Sequence, residues 1–509
     1  MVLNDSITEE LSSQNQHIIV IHPGSLYVRI SRASDVNPHT ELHAVARRRL
    51  PGGAVHKDTL LPSTIQRVRL KHKWAQNWQK MSKHVESSSS DDKFNYTILF
   101  EHFKKALIEN EDVDLENYLI GYEQLCKQLF TVPEGRKKYK AVLVIPDIYN
   151  RLYLKEYMYL LLNRMGFNAC FLIQDHVAAT FGAGLGYACV IDVGHTKTSV
   201  SCVEDGVSLS NTRVRLGYGG GDITQAYHWL LHKCAFPYKC DPNLSTLDAI
   251  LLQKLKHDFC HVNLDVCGCF EKSFAVRQPK KPVTSFVIQV ADECLIAPLG
   301  IFHPELLGLT GTKIVVTQSR AVSDPEDPHD GDYLRETSRR GTKEAGDQGE
   351  GIVGEGGVSL SLGGPGVSGA EEDIVVDSLV EVCSSADFVL ESGQPLGLDL
   401  AVLQSVERCS GDEQKRKMYS TILIVGGGLK FDGISHWLQS KLALHISYNN
   451  KPDQIDIITN PKESDPQITT WRGAAILSSL ETAQELWITA EEWKKYSVTI
   501  LRERAPFMW

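Results

Sequence analysis

The stretch 188–204 constrains the fold of this chain more than any other part of its sequence. It opens with a short apolar run from Ala188 to Ile191, which is typical of a strand buried in a sheet. Asp192, Gly194 and a polar cluster interrupt this run, and an alternating strand then follows. The pattern predicts a β-hairpin whose turn places the carboxylate of Asp192 and several backbone N–H groups at the end of a sheet. Such a turn suits a phosphate and its metal ion, although Asp and Gly also populate ordinary turns for local reasons.

A segment near the start of the chain repeats this arrangement. An apolar strand at His17–Ile21 is followed by turn residues at 22–25 and by an alternating strand at Leu26–Ile30. Two hairpins of the same design, far apart in the chain, indicate that the fold contains two phosphate-binding hairpins.

Two glycine-rich turns each precede a helical pattern. The first turn, Leu216–Asp222, leads into a helix that runs through Leu231. The second follows a buried strand that begins at Thr421, and it consists of Gly426, Gly427 and Gly428. A strand, a glycine turn and a helix in this order let backbone N–H groups approach a nucleotide closely. The spacing matches neither the dinucleotide-binding fingerprint nor the P-loop, and the first turn can equally open a helix with nothing bound.

Further buried strands and amphipathic helices place these motifs in an α/β fold. Strands are predicted at 140–146, 169–173 and 455–458, and helices at 94–130, 150–165, 175–185, 247–261, 469–480 and 491–496. No apolar run reaches about 18 residues, so a transmembrane helix is not expected. The polar start, 1–16, has no secretory signal pattern and is expected to be disordered.

Charge is distributed unevenly along the chain. The net charge is −10 over 509 residues, which argues against a protein that is basic throughout. Segment 41–84 nevertheless carries ten basic residues against two acidic ones, with Trp74 and Trp78 among them. The basic residues are Arg47, Arg48, Arg49, Lys57, Arg67, Arg69, Lys71, Lys73, Lys80 and Lys83. This segment predicts either a solvated face or a contact with a polyanion such as DNA.

An acidic, glycine-rich segment interrupts the second half of the chain. Residues 323–381 contain 15 acidic and 4 basic side chains, and 11 glycines lie within 341–370. Such a composition cannot bury enough apolar surface to fold, so we expect 323–396 to be a mostly disordered insertion. We expect this insertion to act either as a solvating tether or as a contact for basic histones.

The two hairpins, the helix before the second hairpin and the two glycine turns together resemble the actin family. The segments Trp471–Leu477 and Gln484–Thr489 also resemble the C-terminal helices of actin. The resemblance implies an actin-like ATPase fold with two lobes, each built on an RNase-H-like sheet, and a nucleotide cleft between them. It also divides the chain into a first lobe at 17–215 with a divergent basic segment at 34–130, a second lobe at 216–322 and 397–509, and the insertion between these two parts.

The resemblance also implies the residues that hold ATP or Mg-ATP. The cofactor-binding candidates are Gly24, Ser25, Leu26, Asp192, Val193, Gly194, His195, Gly220, Asp222, Gly426, Gly427 and Gly428. Asp192 is also the candidate metal ligand. Three positions depart from the family: His22 replaces a metal-site aspartate, Asp175 stands for the water-orienting glutamine, and Ser199 stands for a nearby histidine. Arg29 replaces the phosphate-binding lysine. These departures predict little or no ATP hydrolysis, because hydrolysis needs an oriented water and a metal. The alternative is a slow ATPase of the actin/sugar-kinase superfamily that uses Asp175 as a weak base.

Several segments resemble the nuclear actin-related subunits of INO-eighty-type chromatin-remodelling complexes in particular. They are Ile19–Ser25, Ile145–Asn150, Val203–Ser208, Asp324–Asp330 and Leu501–Ala505. This likeness implies a nuclear scaffold that supports transcription regulation, DNA repair, recombination and replication. It also implies binding to a helicase-SANT-associated helix of the motor subunit, to actin and another actin-related protein, and to histones, nucleosomes or DNA, without a membrane contact.

Overall fold

The fold is described from a computed structural model of the chain. The described residues are 17–48, 59–61, 94–98, 139–149, 151–263, 265–266, 268–278, 281–309, 314–315, 396–461 and 464–505. Segment 1–16, most of the basic segment 41–84 and residues 323–395 of the acidic segment lie outside these ranges, so the predictions for them remain predictions. None of the described helices is long and apolar enough to cross a membrane.

Seventeen strands are described, and most of them belong to two large sheets. The strands are β1 (Ile18–Pro23), β2 (Tyr27–Arg32), β3 (His39–Leu42), β4 (Ala44–Arg48), β5 (Phe94–Ile98), β6 (Lys140–Ile145), β7 (Ala169–Gln174), β8 (Tyr187–Val193), β9 (Thr198–Glu204), β10 (Val207–Ser208), β11 (Val214–Leu216), β12 (Phe270–Val276), β13 (Thr284–Val290), β14 (Ile314–Val315), β15 (Thr421–Val425), β16 (Asp456–Ile458) and β17 (Ile488–Thr489).

Eleven α-helices are described. They are α1 (Arg151–Tyr159), α2 (Asp175–Ala183), α3 (Gly220–Lys233), α4 (Thr246–Phe259), α5 (Glu293–Leu299), α6 (Leu398–Glu407), α7 (Asp412–Ser420), α8 (Ile434–His445), α9 (Thr469–Ser478), α10 (Ala490–Tyr496) and α11 (Leu501–Arg504). A π-helical turn at Leu160–Arg164 continues α1. Short 3-10 turns lie at Ser210–Thr212, Pro304–Leu307, Tyr448–Asn450, Glu481–Leu486 and Ser497–Ile500.

The two large sheets divide the strands differently from the predicted lobes. The first sheet has the order β17-β7-β6-β1-β2-β3, and the second has the order β14-β11-β9-β8-β15-β16 with β10 on β9. The change of sheet therefore lies between α2 and β8, not at residue 215, because β8 pairs in parallel with β15. The C-terminal part also differs from the prediction, because β17 pairs with β7 of the first sheet.

Both faces of the central strands are buried, which explains their nearly continuous apolar sequence. In β1, Ile19 and Ile21 pack into the outer core of the first sheet, whereas Ile18 and Val20 pack into a middle core. The middle core also contains alternate residues of β8 and apolar residues of α2 and α9. The helices α2 and α9 therefore pack against both sheets, while Cys189, Ile191 and Val193 of β8 face the core on the far side of the second sheet.

Most predicted elements are confirmed near their expected bounds, and one is wrong. Residues 94–98 form β5, which pairs with β4 in a separate two-stranded sheet, rather than the start of a helix. The remainder of that predicted helix, 99–130, lies outside the described residues. The hairpin of β12 and β13 was not predicted from the sequence.

Candidate functional site

The two predicted hairpins are present, and each has a tight turn closed by a backbone hydrogen bond. In the turn after β1, the N–H of Gly24 donates to the carbonyl of Tyr27 at 2.8 Å. In the turn after β8, the N–H of Gly194 donates to the carbonyl of Lys197 at 2.9 Å. A Cβ atom at position 24 would lie 2.7 Å from the Tyr27 carbonyl oxygen, so the first turn requires glycine.

Both glycine-rich turns are hydrogen-bonded to the second hairpin turn. The N–H of Gly220 donates to the carbonyl of Gly194 at 2.9 Å, and the N–H of Gly428 donates to the carbonyl of Val193 at 2.8 Å. Gly426 has a φ of +89°, and a Cβ atom there would lie 2.4 Å from the Val193 carbonyl oxygen. Backbone therefore packs directly on backbone where these three turns meet.

The turns line one cleft, which encloses about 960 Å³ counted to its open mouth. Most of the predicted site residues line it, namely His22, Gly24, Ser25, Leu26, Asp175, Asp192, Gly194, His195, Gly220, Gly426, Gly427 and Gly428. The sequence thus predicted a set of residues that the fold brings to one place.

Three predicted residues do not line the cleft in the described part of the chain. Val193 is buried and contributes its carbonyl to the Gly428 hydrogen bond. Asp222 caps α3, because its carboxylate accepts the N–H of Gly219 at 2.8 Å. Ser199 is buried, and its Oγ lies 3.0 Å from Nε2 of His176. The contacts described for these three residues are within the protein, and their predicted places in the site stay predictions.

Several residues that line the cleft were not predicted from the sequence. They are Tyr27, Lys197, Gln253, Lys256, Gln467 and Thr470. Gln253 and Lys256 lie three residues apart on α4, so they project from the same side of the helix. Nζ of Lys256 donates to the carbonyl of Gly220 at 3.0 Å, and burial lowers the pKa of this lysine to about 8. Lys256 therefore remains mostly protonated at neutral pH.

The cleft is lined by both carboxylates and cationic side chains. Nζ of Lys197 lies 3.5 Å from Oδ2 of Asp175. Burial raises the pKa of Asp175, and the charge of Lys197 opposes that rise. Burial lowers the pKa of Arg29, whereas the nearby charge of Asp192 acts in the opposite direction. Nη2 of Arg29 also donates to Oε1 of Gln467 at 3.3 Å, which fixes the guanidinium in the cleft.

His22 takes the position where the family resemblance expects a metal-site aspartate. Burial, together with the charges of Arg29 and Lys197, lowers the pKa of His22 to about 3. The imidazole is therefore neutral at physiological pH. In the described part of the chain, Nδ1 of His22 has no hydrogen-bond partner.

The cleft offers the carboxylates of Asp175 and Asp192 to a metal ion. Mg²⁺ prefers oxygen ligands and is usually held by one or two carboxylates together with phosphate oxygens. Asp175 is paired with Lys197 at 3.5 Å, and His22 offers a nitrogen, which suits other metals better. Asp192 is the other carboxylate of the lining, and its assignment as the ligand for the metal of Mg-ATP stays a prediction.

A buried polar network lies beside the cleft and joins the two sheets. Oδ2 of Asp147, which follows β6, lies 3.6 Å from Nε of Arg213 and 3.7 Å from Nδ1 of His176. Nδ1 of His176 also lies 2.6 Å from Oγ of Ser201 on β9. Asp147, Asp175 and His176 are close enough to share a metal ion. We instead assign them a structural role, because serines contact both ring nitrogens of His176 and Arg213 supplies the positive charge.

A glutamine also stands directly before Asp175. Gln174 is buried at the end of β7, and its amide nitrogen donates to the carbonyl of Asp147 at 3.1 Å. Its amide oxygen has no hydrogen-bond partner within the described ranges. Any test of a water-orienting group must therefore include Gln174 as well as Asp175.

Residues 59–61 contact the second hairpin turn from a distant part of the sequence. Nε2 of His195 lies 2.7 Å from the carbonyl oxygen of Leu60, and Leu61 is buried in the core of the second sheet. The predicted nucleotide residue His195 therefore also serves to anchor this segment.

Comparison with known proteins identifies the family. The actin family model matches residues 13–248 and 369–506, which is more than half of the chain.

The chain belongs to the actin family.

Curated relatives within the family include actin-related protein 8 of Aedes aegypti, which is 45% identical and covers 99% of this chain and 100% of that protein. Human actin-related protein 8 is 33% identical and covers 97% of this chain and 93% of its own. A solved structure of human actin-related protein Arp8 in its ATP-bound state matches with a TM-score of 0.75 and 29% identity, and covers 98% of both chains. The predicted actin-like α/β fold is confirmed.

Proposed function

We propose that this actin-related protein binds ATP in the cleft and acts as a scaffold with little or no ATP hydrolysis. The observation that carries the proposal is the meeting of two hairpin turns and two glycine-rich turns around one cleft lined by cationic side chains. Tight backbone turns beside cationic side chains suit phosphates. The similarity to a structure of human Arp8 in its ATP-bound state supports ATP as the ligand.

The same cleft offers little support for hydrolysis. His22 replaces a carboxylate, and the carboxyl of Asp175 is buried beside Lys197. Phosphoryl transfer depends on a positioned water and on neutralisation of charge as the bond breaks. We therefore expect ATP to remain intact in the cleft over many binding and release events.

Substitutions in one glycine turn test ATP binding. A Cβ atom at position 220 would lie 2.7 Å from Cα of Gly428 and 3.2 Å from Nζ of Lys256, whereas one at position 217 would meet nothing within 4 Å. We expect Gly220→Ala to weaken the binding of fluorescent ATP by about tenfold or more, and Gly217→Ala to leave it nearly unchanged. Phosphate release is followed in the same samples. Equal affinity of the two variants would contradict the proposed site.

The alternative, a slow ATPase, is favoured by the carboxyl of Asp175, which lines the cleft and whose pKa is raised by burial. Removal of a group that stabilises or orients reacting atoms costs about 10²-fold in rate. If the wild-type protein releases phosphate faster than a blank, and Gln174→Ala or Asp175→Asn lowers that rate by about 10²-fold, the protein is an enzyme. Release that both variants retain would indicate a contaminating ATPase.

We also propose that the scaffold is nuclear and belongs to an INO-eighty-type remodelling complex, where it contacts the motor subunit, actin, another actin-related protein and nucleosomes. The name of its relatives and the likeness of its segments support this proposal. Cellular fractionation and co-purification with the motor subunit test this proposal. Failure of the protein to co-purify with that subunit would contradict it.

The basic segment 41–84 is proposed to contact DNA. Replacing Arg67, Arg69, Lys71, Lys73, Lys80 and Lys83 with glutamine removes most of its charge. Each lost phosphate contact lowers the slope of log affinity against log salt by about 0.9. We expect the variant to bind nucleosomal DNA more weakly, with a shallower slope in a salt titration. An unchanged slope would assign the segment to a solvated face.

A further inference from the structure

Two cysteine side chains are in contact where the end of α4 meets the start of α5. Cys260 directly follows α4, and Cys294 is the second residue of α5. Both residues are buried, and their thiols are hydrogen-bonded to each other. The two backbones also meet here, because the N–H of His261 donates to the carbonyl of Cys294 at 3.2 Å. This backbone contact holds the Cα atoms of the two cysteines near each other, as a disulfide requires.

The surroundings give the two thiols different chemistry. The hydroxyl oxygen of Tyr227 on α3 lies 3.5 Å from Sγ of Cys294. Hydrogen bonds with Cys260 and Tyr227 lower the pKa of Cys294, although burial acts in the opposite direction. Burial and the contact with Cys294 raise the pKa of Cys260 well above its ordinary value. Because the thiolate is the nucleophile, Cys294 is the thiol that attacks, and Cys260 is the thiol that keeps its proton.

A second close pair of cysteines lacks this difference. Cys189 of β8 and Cys202 of β9 are direct partners across the two strands, and both are fully buried. Burial raises the pKa of Cys202 well above its ordinary value. Closeness alone therefore does not make a thiol pair reactive, and this pair serves as an internal comparison.

We propose that Cys260 and Cys294 are a redox-sensitive pair, which hydrogen peroxide converts into a disulfide between α4 and α5. The sulfur of Cys294 attacks one peroxide oxygen, so that an S–O bond forms, the O–O bond breaks and the second oxygen leaves as water with the thiol proton. The sulfur of Cys260 then attacks this sulfenic acid. The S–S bond forms, the S–O bond breaks, and the proton of Cys260 leaves with the oxygen as a second water. Both thiols are oxidised, and peroxide is reduced to water.

Peptide mapping of the full chain after treatment with hydrogen peroxide tests the inference. The dose is raised until the exposed Cys269 is oxidised, and remaining thiols are then blocked with N-ethylmaleimide in denaturant. We expect a cross-link between Cys260 and Cys294, located by fragmentation, that is two hydrogen atoms lighter than the reduced peptides and is removed by dithiothreitol. Cys189 and Cys202 should be recovered as blocked thiols. Recovery of Cys260 and Cys294 as blocked thiols, or a cross-link of Cys294 to the exposed Cys234, would overturn the inference.

Three substitutions sharpen the test. Cys260→Ala keeps a small apolar side chain and should leave Cys294 as a sulfenic acid that dimedone traps. Tyr227→Phe removes the hydroxyl beside Cys294, so the thiolate fraction falls, and we expect cross-linking to slow by about threefold or more. Cys269→Ala is the matched control, because no lysine or arginine separates this exposed residue from Cys260, and it should cross-link at the wild-type rate. Equal rates for Tyr227→Phe and Cys269→Ala, or no dimedone adduct on Cys294, would overturn the role of Cys294 as the attacking thiol.

Discussion

Replacing Gly473 with alanine is expected to lower the free energy of unfolding by about 3 kcal/mol or more. Gly473 lies on α9 where this helix crosses α2. A Cβ atom at position 473 would lie 1.7 Å from the carbonyl oxygen of Ala178 and 2.5 Å from the nitrogen of Gly182. Both contacts are with backbone, which cannot rotate away. The two helices would have to separate, and the middle core would loosen.

Helix propensity predicts the opposite sign for the same substitution. Alanine is favoured over glycine in a helix interior by about 1 kcal/mol, partly because it restricts the unfolded chain. Packing should win here because α9 is held from both sides. The indole of Trp471 donates to the carbonyl of Val20 on β1 at 3.1 Å, and Gly182 of α2 approaches the carbonyl of Thr469 in the same way. Neither helix has room to move without losing buried contacts.

Denaturant unfolding of the full chain measures the effect, with Gly186→Ala as the matched control. Gly186 lies between α2 and β8, and a Cβ atom there would meet nothing within 4 Å. We expect that control to stay within about 0.5 kcal/mol of the wild type. If Gly473→Ala were as stable as Gly186→Ala, the close helix crossing would be wrong.

Local signals in the sequence predict the hairpins and the glycine turns that form the cleft. They do not predict which distant segments lie next to these turns. Apolar strands buried on both faces, followed by glycine turns, identified both hairpins and the turn at 426–428. Each of these signals lies within about ten residues of chain, where periodicity and turn chemistry are informative. The family resemblance then supplied the arrangement of these parts around a nucleotide.

Pairings across long stretches of chain could not be predicted from such signals. Nothing near β8 in the sequence indicates that it pairs with β15, so the hairpin was assigned to the first lobe instead of the second sheet. Lys256 appears in the sequence as an ordinary lysine of an amphipathic helix. Only the fold brings its Nζ to the carbonyl of Gly220. The contact of this lysine with the glycine turn is therefore visible only in the folded chain.

The second large effect is expected at Arg213, whose guanidinium is 2% exposed and lies 3.6 Å from the carboxylate of Asp147, which is 1% exposed. Arg213→Met would leave Asp147 buried without its main cation. Breaking a buried pair in this way costs about 3–5 kcal/mol, because the remaining charge is neither solvated nor paired. Thermal unfolding of the variant should show a correspondingly large fall in melting temperature.

A surface ion pair provides the matched comparison. Lys417 and Glu204 also form a salt bridge, but their side chains are 37% and 24% exposed. Lys417→Met should therefore cost at most about 1 kcal/mol. Equal losses from the two substitutions would mean that water reaches Asp147.

Replacing both buried partners, as in Arg213→Met with Asp147→Leu, separates the value of the pair from the cost of stranding a charge. If the unpaired carboxylate causes the loss, the double variant should recover much of the stability that Arg213→Met loses. Its affinity for ATP should remain below that of the wild type even so. Asp147 follows β6 of the first sheet and Arg213 precedes β11 of the second, so the pair fixes the two sheets that carry opposite sides of the cleft. A double variant that is stable and also binds ATP normally would show that the cleft keeps its shape without this pair.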